Sequence, residues 1–210
     1  RIGTEKRGVD LPHVNENFET NIQGIFIAGE LGGMGLIKNS VEQGEQAMKS
    51  IAAKKKITRE NVLDVVIIGS GPAGYSAGIY SARANLKTLM ISGWEEGGQL
   101  MLTTEVENYP GYPEGVNGPQ MMMDLQAQAE RFEADVRYGV VTSVDLKKQP
   151  FEVVVDEEET VKANTIVIST TKQPHYIFYA WEPFTDANLV NSEKLPASTF
   201  KLVLQGKKII

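Results

Sequence analysis

Gly69-Ser70-Gly71-Pro72-Ala73-Gly74 spaces three glycines as Gly-x-Gly-x-x-Gly. A β-branched run, Val65-Val66-Ile67-Ile68, leads into it, and small or apolar residues at Ala73, Ala77, Tyr80 and Ala84 follow at helical spacing. The pattern reads as strand, tight turn and helix. Gly69 permits the turn, Gly71 lets backbone approach a pyrophosphate, and Gly74 lets the helix pack close to the strand. Phosphates would rest on the first N–H groups of that helix, at the positive end of its dipole. These six residues predict dinucleotide binding; a glycine-rich corner in an ordinary α/β domain is the alternative. An NAD site usually carries Asp or Glu about 20 residues further on, at the end of the next strand. Here that strand, Lys87 to Ser92, runs into Gly93 with no acid until Glu95.

Other reactive chemistry is scarce. The 210 residues hold no cysteine, which removes disulfides, thiolate metal sites and dithiol catalysis from this chain. Two histidines far apart in sequence argue against a metal site. Asp156-Glu157-Glu158-Glu159 reads as a solvated hairpin loop, since nothing would bury it and shift a carboxylate into acid–base work. Met121-Met122-Met123 fits helical core packing better than a soft ligand surface. His175 with Tyr176, Tyr179 and Trp181 reads as a surface or interface cluster rather than an aromatic site, and Lys54-Lys55-Lys56 as a helix C-terminus. No side chain stands out as an acid, base or nucleophile. A net charge of −6 without a basic stripe argues against nucleic acid. No apolar run approaches the roughly 20 residues of a membrane span, no signal-peptide pattern is visible, and a cytoplasmic location is expected. The sequence opens on Arg1 rather than methionine, so residues ahead of it are expected.

The elements that position the glycines can be read in order. Residues 1–17 are polar and irregular. Ile25 to Ala28 reads as a short buried strand that turns at Gly29-Glu30, and Gly32-Gly33-Met34-Gly35 extends the turn without matching the fingerprint spacing. A helix follows, with Val41, Gly44, Met48 and Ile51 on one face. Past the first βαβ segment, Gly118-Pro119 opens a helix to about Asp135 with Met122, Leu125, Ala129 and Phe132 buried. Val136 to Val144, Phe151 to Val155 and Val161 to Ser169 read as strands.

Several motifs together carry a resemblance. Gly69 to Gly74, Ser81-Ala82-Arg83-Ala84-Asn85-Leu86, Gly97-Gly98-Gln99-Leu100 and Thr103-Thr104-Glu105-Val106-Glu107-Asn108-Tyr109-Pro110-Gly111 closely resemble the FAD half of low-molecular-weight thioredoxin reductases. The resemblance covers about Leu63 to Ser169. It implies an α/β, Rossmann-like three-layer FAD/NAD(P)-binding fold, with a central parallel sheet and an antiparallel β-meander. It implies that Gly69, Gly71, Pro72 and Ala73 hold the FAD pyrophosphate. Gly98, Gln99, Leu100 and Thr104 would lie along the ribityl and flavin region, Asn108 at the isoalloxazine edge, and Val141 at the adenine through its backbone. Thr20 to Glu30 is similar to the second FAD fingerprint of these proteins, so Gly29 and Glu30 would meet the ribityl or pyrophosphate region. Glu30 stands where the family has Asp. Lys38, Asn39 and Ser40 would bring backbone N–H groups to the flavin pyrimidine; the alternative is a plain helix cap at Asn39 or Ser40. Ser169-Thr170-Thr171-Lys172 replaces the family's Ala-Thr-Gly-Ala, Gln173 to Phe200 loses the resemblance, and Gly206 to Ile210 is similar to the opening strand of an NADPH domain.

The segments stand in reversed order. Residues 1–55 resemble the C-terminal part of such a FAD domain, 56–62 form a linker, 63–170 resemble its N-terminal part, and 171–210 form a divergent connection and the truncated start of a next domain. A permuted domain that closes on itself and an excerpt across a junction of two modules both fit. Ile25 to Ala28 is apolar on both faces, as a central parallel strand is, so residues 20–50 are expected on the sheet that begins at Leu63. Left unpaired, that strand would be an aggregation-prone edge. Exchange between two chains, giving a homodimer, is the alternative. The function implied is the FAD-binding portion of an oxidoreductase that passes hydride from NAD(P)H through flavin to an electron-acceptor protein. A non-catalytic FAD-binding or electron-transfer module is the alternative, and a plain NAD-binding domain a third.

Overall fold

The computed structural model describes residues 4–6, 10–32, 36–54, 57–169, 176–179, 200–205 and 208–209. The chain divides into a unit spanning Ile2–Thr171 and one formed by Lys172–Ile210.

The first unit opens with β1 (Thr4–Lys6) and β2 (Asp10–Pro12), which pair antiparallel. Then come β3 (Ile25–Ile27), α1 (Ile37–Ala53), β4 (Leu63–Ile68), α2 (Pro72–Arg83) and β5 (Thr88–Ile91). They are followed by α3 (Gly118–Arg131), β6 (Asp135–Arg137), β7 (Val141–Asp145), β8 (Phe151–Val155) and β9 (Glu159–Ile168). Among the described residues, β3 to β9 form one 7-stranded sheet. Its parallel part runs β6-β5-β4-β9-β3. Strand β9 is long enough to serve two neighbours on one edge. Its first half pairs antiparallel with β8, which pairs with β7, and its last three residues pair parallel with β3.

Alternation along the strands builds the layers. Val65 and Ile67 of β4, Met90 of β5 and Val167 of β9 face a core filled by Ala47, Met48 and Ile51 of α1, Ala73 and Ala77 of α2, and Met121, Met122 and Ala129 of α3. Val66, Leu89, Ile91 and Ile166 face the opposite way, onto Phe151, Val153 and Val155 of the meander. Helices, parallel sheet and meander are the three layers expected. Strand β3 belongs to both cores: Phe26 points to the helices and Ile25 to the meander. Burying such side chains stabilises by roughly 1.5–3 kcal/mol each, which is why the early segment joins this sheet within one chain. Lys54 pins it there. Its ammonium pairs with Glu19 at 2.7 Å and lies 4.8 Å from the Phe26 ring centroid.

Helices α1 and α2 cross at Gly44, where a Cβ would lie 2.3 Å from the Ala73 carbonyl oxygen. The Ser76 hydroxyl donates to the Val41 carbonyl at 2.6 Å across the same crossing.

Three sequence expectations need correction. Val136 to Val144 is two strands, because the chain leaves the parallel sheet after Arg137 and enters the meander at Val141. The turn between them is held by Asp156, whose carboxylate accepts the Val140 N–H and whose own N–H donates to the Val140 carbonyl. Helix α3 ends at Arg131, since Glu133 adopts φ 66° and Asp135 already belongs to β6. The stretch 1–17, expected to be irregular, contains the antiparallel pair β1 and β2, because Thr4 to Lys6 finds a partner in Asp10 to Pro12. Lys54 stands at the C-terminus of α1 as expected, as its C-cap, and also anchors β3.

In the second unit β10 (Tyr176–Tyr179), β11 (Phe200–Gln205) and β12 (Lys208–Ile209) form an antiparallel sheet. Gly33 to Gly35, Lys55 and Lys56, Thr170 to His175, and Trp181 lie outside the described residues.

Candidate functional site

The five parallel strands end level. Ile27 pairs with Ile168, Ile168 with Ile68, Ile68 with Ile91, and Ile91 with Arg137. Everything just after that row lies along one edge: Gly29 and Glu30, Ser169, the glycine loop, Ser92 and Gly93, and Tyr138. Open α/β sheets bind ligands in the crevice outside the carboxyl ends of their strands.

The glycine loop is tightly built. Gly69 takes φ 106° and donates its N–H to the Ile91 carbonyl at 2.8 Å. The Ser169 hydroxyl donates to the Gly69 carbonyl at 2.9 Å. A Cβ on Gly74 would lie 2.1 Å from that carbonyl oxygen, so α2 approaches the loop as only glycine allows. Gly71 is the extended N-cap of α2 and Pro72 its first residue. No side chain caps this helix and no acid sits in its first turn.

Helix α1 begins in the same way. Its N-cap is Leu36, without a side-chain cap bond, and its first turn carries no acid. The plain-cap alternative for Asn39 and Ser40 is thereby set aside: both lie inside the helix, and Ser40 is buried with its N–H donated to the Leu36 carbonyl. Lys38 is exposed in that first turn, a cation at the dipole's positive end.

Gly29 joins the two helix starts. It adopts φ 92°, its N–H donates to Gln43 Oε1 at 2.7 Å, and a Cβ there would lie 3.0 Å from Ala73 Cβ and 3.8 Å from Ser40 Oγ. Gly29, Ser40 and Ala73 are therefore neighbours, although more than 40 residues separate Gly29 from Ala73. Glu30 follows at the head of a 3-10 turn, Glu30–Gly32, half-buried beside them.

Of the remaining candidates, those next to Gly97 follow a turn that reaches the glycine loop, where the Gly97 N–H donates to Ser70 Oγ at 2.9 Å. Gly97 and Gly98 take φ 80° and 66° and open a 3-10 helix, Gly98–Leu102, with Gln99 exposed and Leu100 buried. Val141 opens β7, half-buried and paired with Val155. The preceding Gly139 accepts the Gly93 N–H at 2.9 Å, so this segment reaches the end of β5. Thr104 and Asn108 are exposed. Asn108 lines an open hollow of about 600 Å³ formed by residues 107–113, in a loop closed by the Val106–Val116 bridge.

Residue-by-residue reading missed Ser70, Ser92, Ser169, Gln43 and Tyr75. Ser70 is buried between the loop glycines, and Tyr75 is buried one helical step beyond them. Burial, reinforced by the charge of Glu96, pushes the Tyr75 phenol up to about 12, against an opposing hydrogen bond with Ser70. The only sequence signal for Ser70 was its place between the loop glycines, and for Ser169 its place at the end of the last strand, 100 residues beyond Gly69.

The chain is 51% identical over 112 residues to a thioredoxin reductase of Mycolicibacterium smegmatis, a match that covers 53% of this chain and 36% of that protein. It is 48% identical over 115 residues to NADPH-dependent thioredoxin reductase 3 of Arabidopsis thaliana, covering 53% of this chain and 22% of that protein. Among solved structures, thioredoxin reductase from Giardia duodenalis superposes with a TM-score of 0.50 at 42% identity, over 53% of this chain and 36% of that one. The chain thus spans about a third or less of the length of these relatives. A sequence model described as pyridine nucleotide-disulphide oxidoreductase matches residues 63–199, reaching past Gln173, where the motif resemblance was expected to end. The Rossmann-like layers, the fingerprint loop at the sheet's carboxyl edge and this match agree: the chain belongs to the pyridine nucleotide-disulphide oxidoreductase family.

Proposed function

We propose that this chain is the FAD-binding portion of a thioredoxin reductase-like flavoprotein oxidoreductase. The observation that carries the reading is the meeting of Gly29 with Ala73. It sets two uncapped helix N-termini, both without first-turn acids, at one sheet edge. Two such dipole ends suit a dianionic pyrophosphate flanked by a flavin that gains negative charge on reduction. The site fits FAD in this respect: backbone N–H groups and glycines dominate, and Gly29 and Gly74 leave no room for a Cβ.

In this reading Gly69, Gly71, Pro72 and Ala73 bind the pyrophosphate with Gly29 and Glu30. Gly98, Gln99, Leu100 and Thr104 orient the ribityl chain and the ring, Asn108 meets the ring edge, and Val141 meets the adenine. Lys38, Asn39 and Ser40 present the start of α1 to the pyrimidine side. Bound FAD would supply a two-electron acceptor for hydride from NAD(P)H. Residues 1–55 then supply one half of the FAD domain and 63–170 the other, joined by 56–62, with 171–210 leading toward a next domain. The reading includes a cytoplasmic location and an electron-acceptor protein as partner. It also includes homodimer formation without strand exchange, since β3 pairs with β9 of its own chain. Among the described residues, no helix is long and apolar enough to cross a membrane.

The test is spectroscopic. The purified chain, supplied with FAD, is expected to retain it with the flavin band near about 450 nm, a property of the cofactor. Protein that takes up NAD and leaves FAD in solution would overturn the reading.

A further inference from the structure

We propose that Ser70 is a positioning residue that ties the glycine loop to the turn carrying Gln99, so that a pyrophosphate on one sets the geometry of the other. The proposal rests on the reading of this edge as a dinucleotide site. Ser70 is only 2% exposed, although it stands between two glycines of a loop at a sheet edge. Its hydroxyl donates to the Ser92 carbonyl at 3.1 Å and accepts the Gly97 N–H at 2.9 Å. A hydroxyl can donate and accept at once, so this one ties two separate segments to the loop.

Gly97 is where such an anchor counts. It and Gly98 hold successive left-handed conformations, and a Cβ on Gly97 would lie 2.6 Å from Met101 Cγ. Glycine makes the turn sterically allowed but leaves it free to take many other conformations. The Ser70 bond selects one. Beyond Gly97 the segment is stiff: Leu100 is buried, its carbonyl accepts the Thr103 N–H, and it lies against Gly118. A shift at Gly97 therefore carries Gln99 with it. On its other side, the same hydroxyl holds Ser92, whose N–H donates to the Arg137 carbonyl beside the segment that leads to Val141. One buried oxygen thus sets the spacing between the phosphate loop, the Gln99 turn and the end of β5.

A double-mutant cycle on the full chain, read by FAD titration, tests this. Ser70→Ala is expected to weaken FAD binding roughly three- to tenfold, the scale of one or two buried neutral hydrogen bonds. Gln99→Ala should weaken binding in the native background and lose most of that effect beside Ser70→Ala, a non-additivity of roughly threefold or more. Ser70→Thr, which keeps the hydroxyl, should restore the Gln99 effect. Additive losses would overturn the proposal while leaving the FAD reading intact; a native chain that binds no FAD would overturn the FAD reading first. Should Ser70→Ala not fold, the native chain answers with ADP, which carries the pyrophosphate and no flavin. Saturating ADP is expected to slow amide exchange over 97–102 as well as in the glycine loop. Slowing confined to the loop would overturn the coupling.

Discussion

Gly71 and Tyr75 lie four residues apart and answer to different physics. Gly71 is the N-cap of α2 and, in the proposed reading, the point where that helix would meet the pyrophosphate, so Gly71→Val puts a branched side chain where the pyrophosphate would pass. We expect loss of FAD retention with a far-UV circular dichroism spectrum close to that of the native chain; stoichiometric flavin in the variant would show that another loop holds the phosphates. Tyr75 is fully buried, and its phenol titrates at about 12 instead of the ordinary 10.0. The folded state therefore holds that proton more tightly than the unfolded chain does. The stabilisation is complete below pH 10 and declines as pH rises from 10 to 12, by about 2–3 kcal/mol in total. Denaturant titrations of native protein and Tyr75→Phe should diverge in slope against pH over that window. Parallel curves would mean that Tyr75 is not held neutral by its surroundings.

At the scale of elements, the crossing of α1 over α2 decides where the two helix starts meet. Gly44 lies against the Ala73 carbonyl and the Ala77 N–H. Gly44→Ala must push the helices apart, and overpacking of this kind costs about 1–3 kcal/mol. The same displacement would draw the start of α1 away from Ala73, so FAD affinity should fall together with stability. A chemical melt and an FAD titration on one preparation check both; reduced stability with native affinity would separate the crossing from the site. The glycines of β4–α2 and the helical face of α1 could be read from spacing, because short periods reflect local geometry. The division of Val136 to Val144 could not. Its two halves pair with strands in different layers, and that choice depends on Asp156, 16 residues beyond Val140.

For the whole molecule, the absence of cysteine sets a limit that folding cannot lift. Thiol–disulfide exchange proceeds through a mixed disulfide, and this chain has no thiol to form one. With FAD and NADPH supplied, the isolated chain is expected to show no disulfide reduction above the buffer rate in a dithionitrobenzoate assay. A robust rate would require a route to the disulfide that bypasses protein thiols.

The linear chain by itself determined a strand–turn–helix with the glycine spacing of a dinucleotide fingerprint, an apolar strand near Ile25 that needed a sheet, and the lack of thiol chemistry. Those properties live in composition and in spacings of a few residues. Only the tertiary structure decided that Ile25–Ile27 would find β9, that Gly29 would stop against Ala73, and that Ser70, Ser92 and Gly97 would share one hydroxyl. Each of these contacts joins residues more than 20 positions apart. Their pairing is set by how two cores fill on opposite faces of one sheet, and no local preference encodes it.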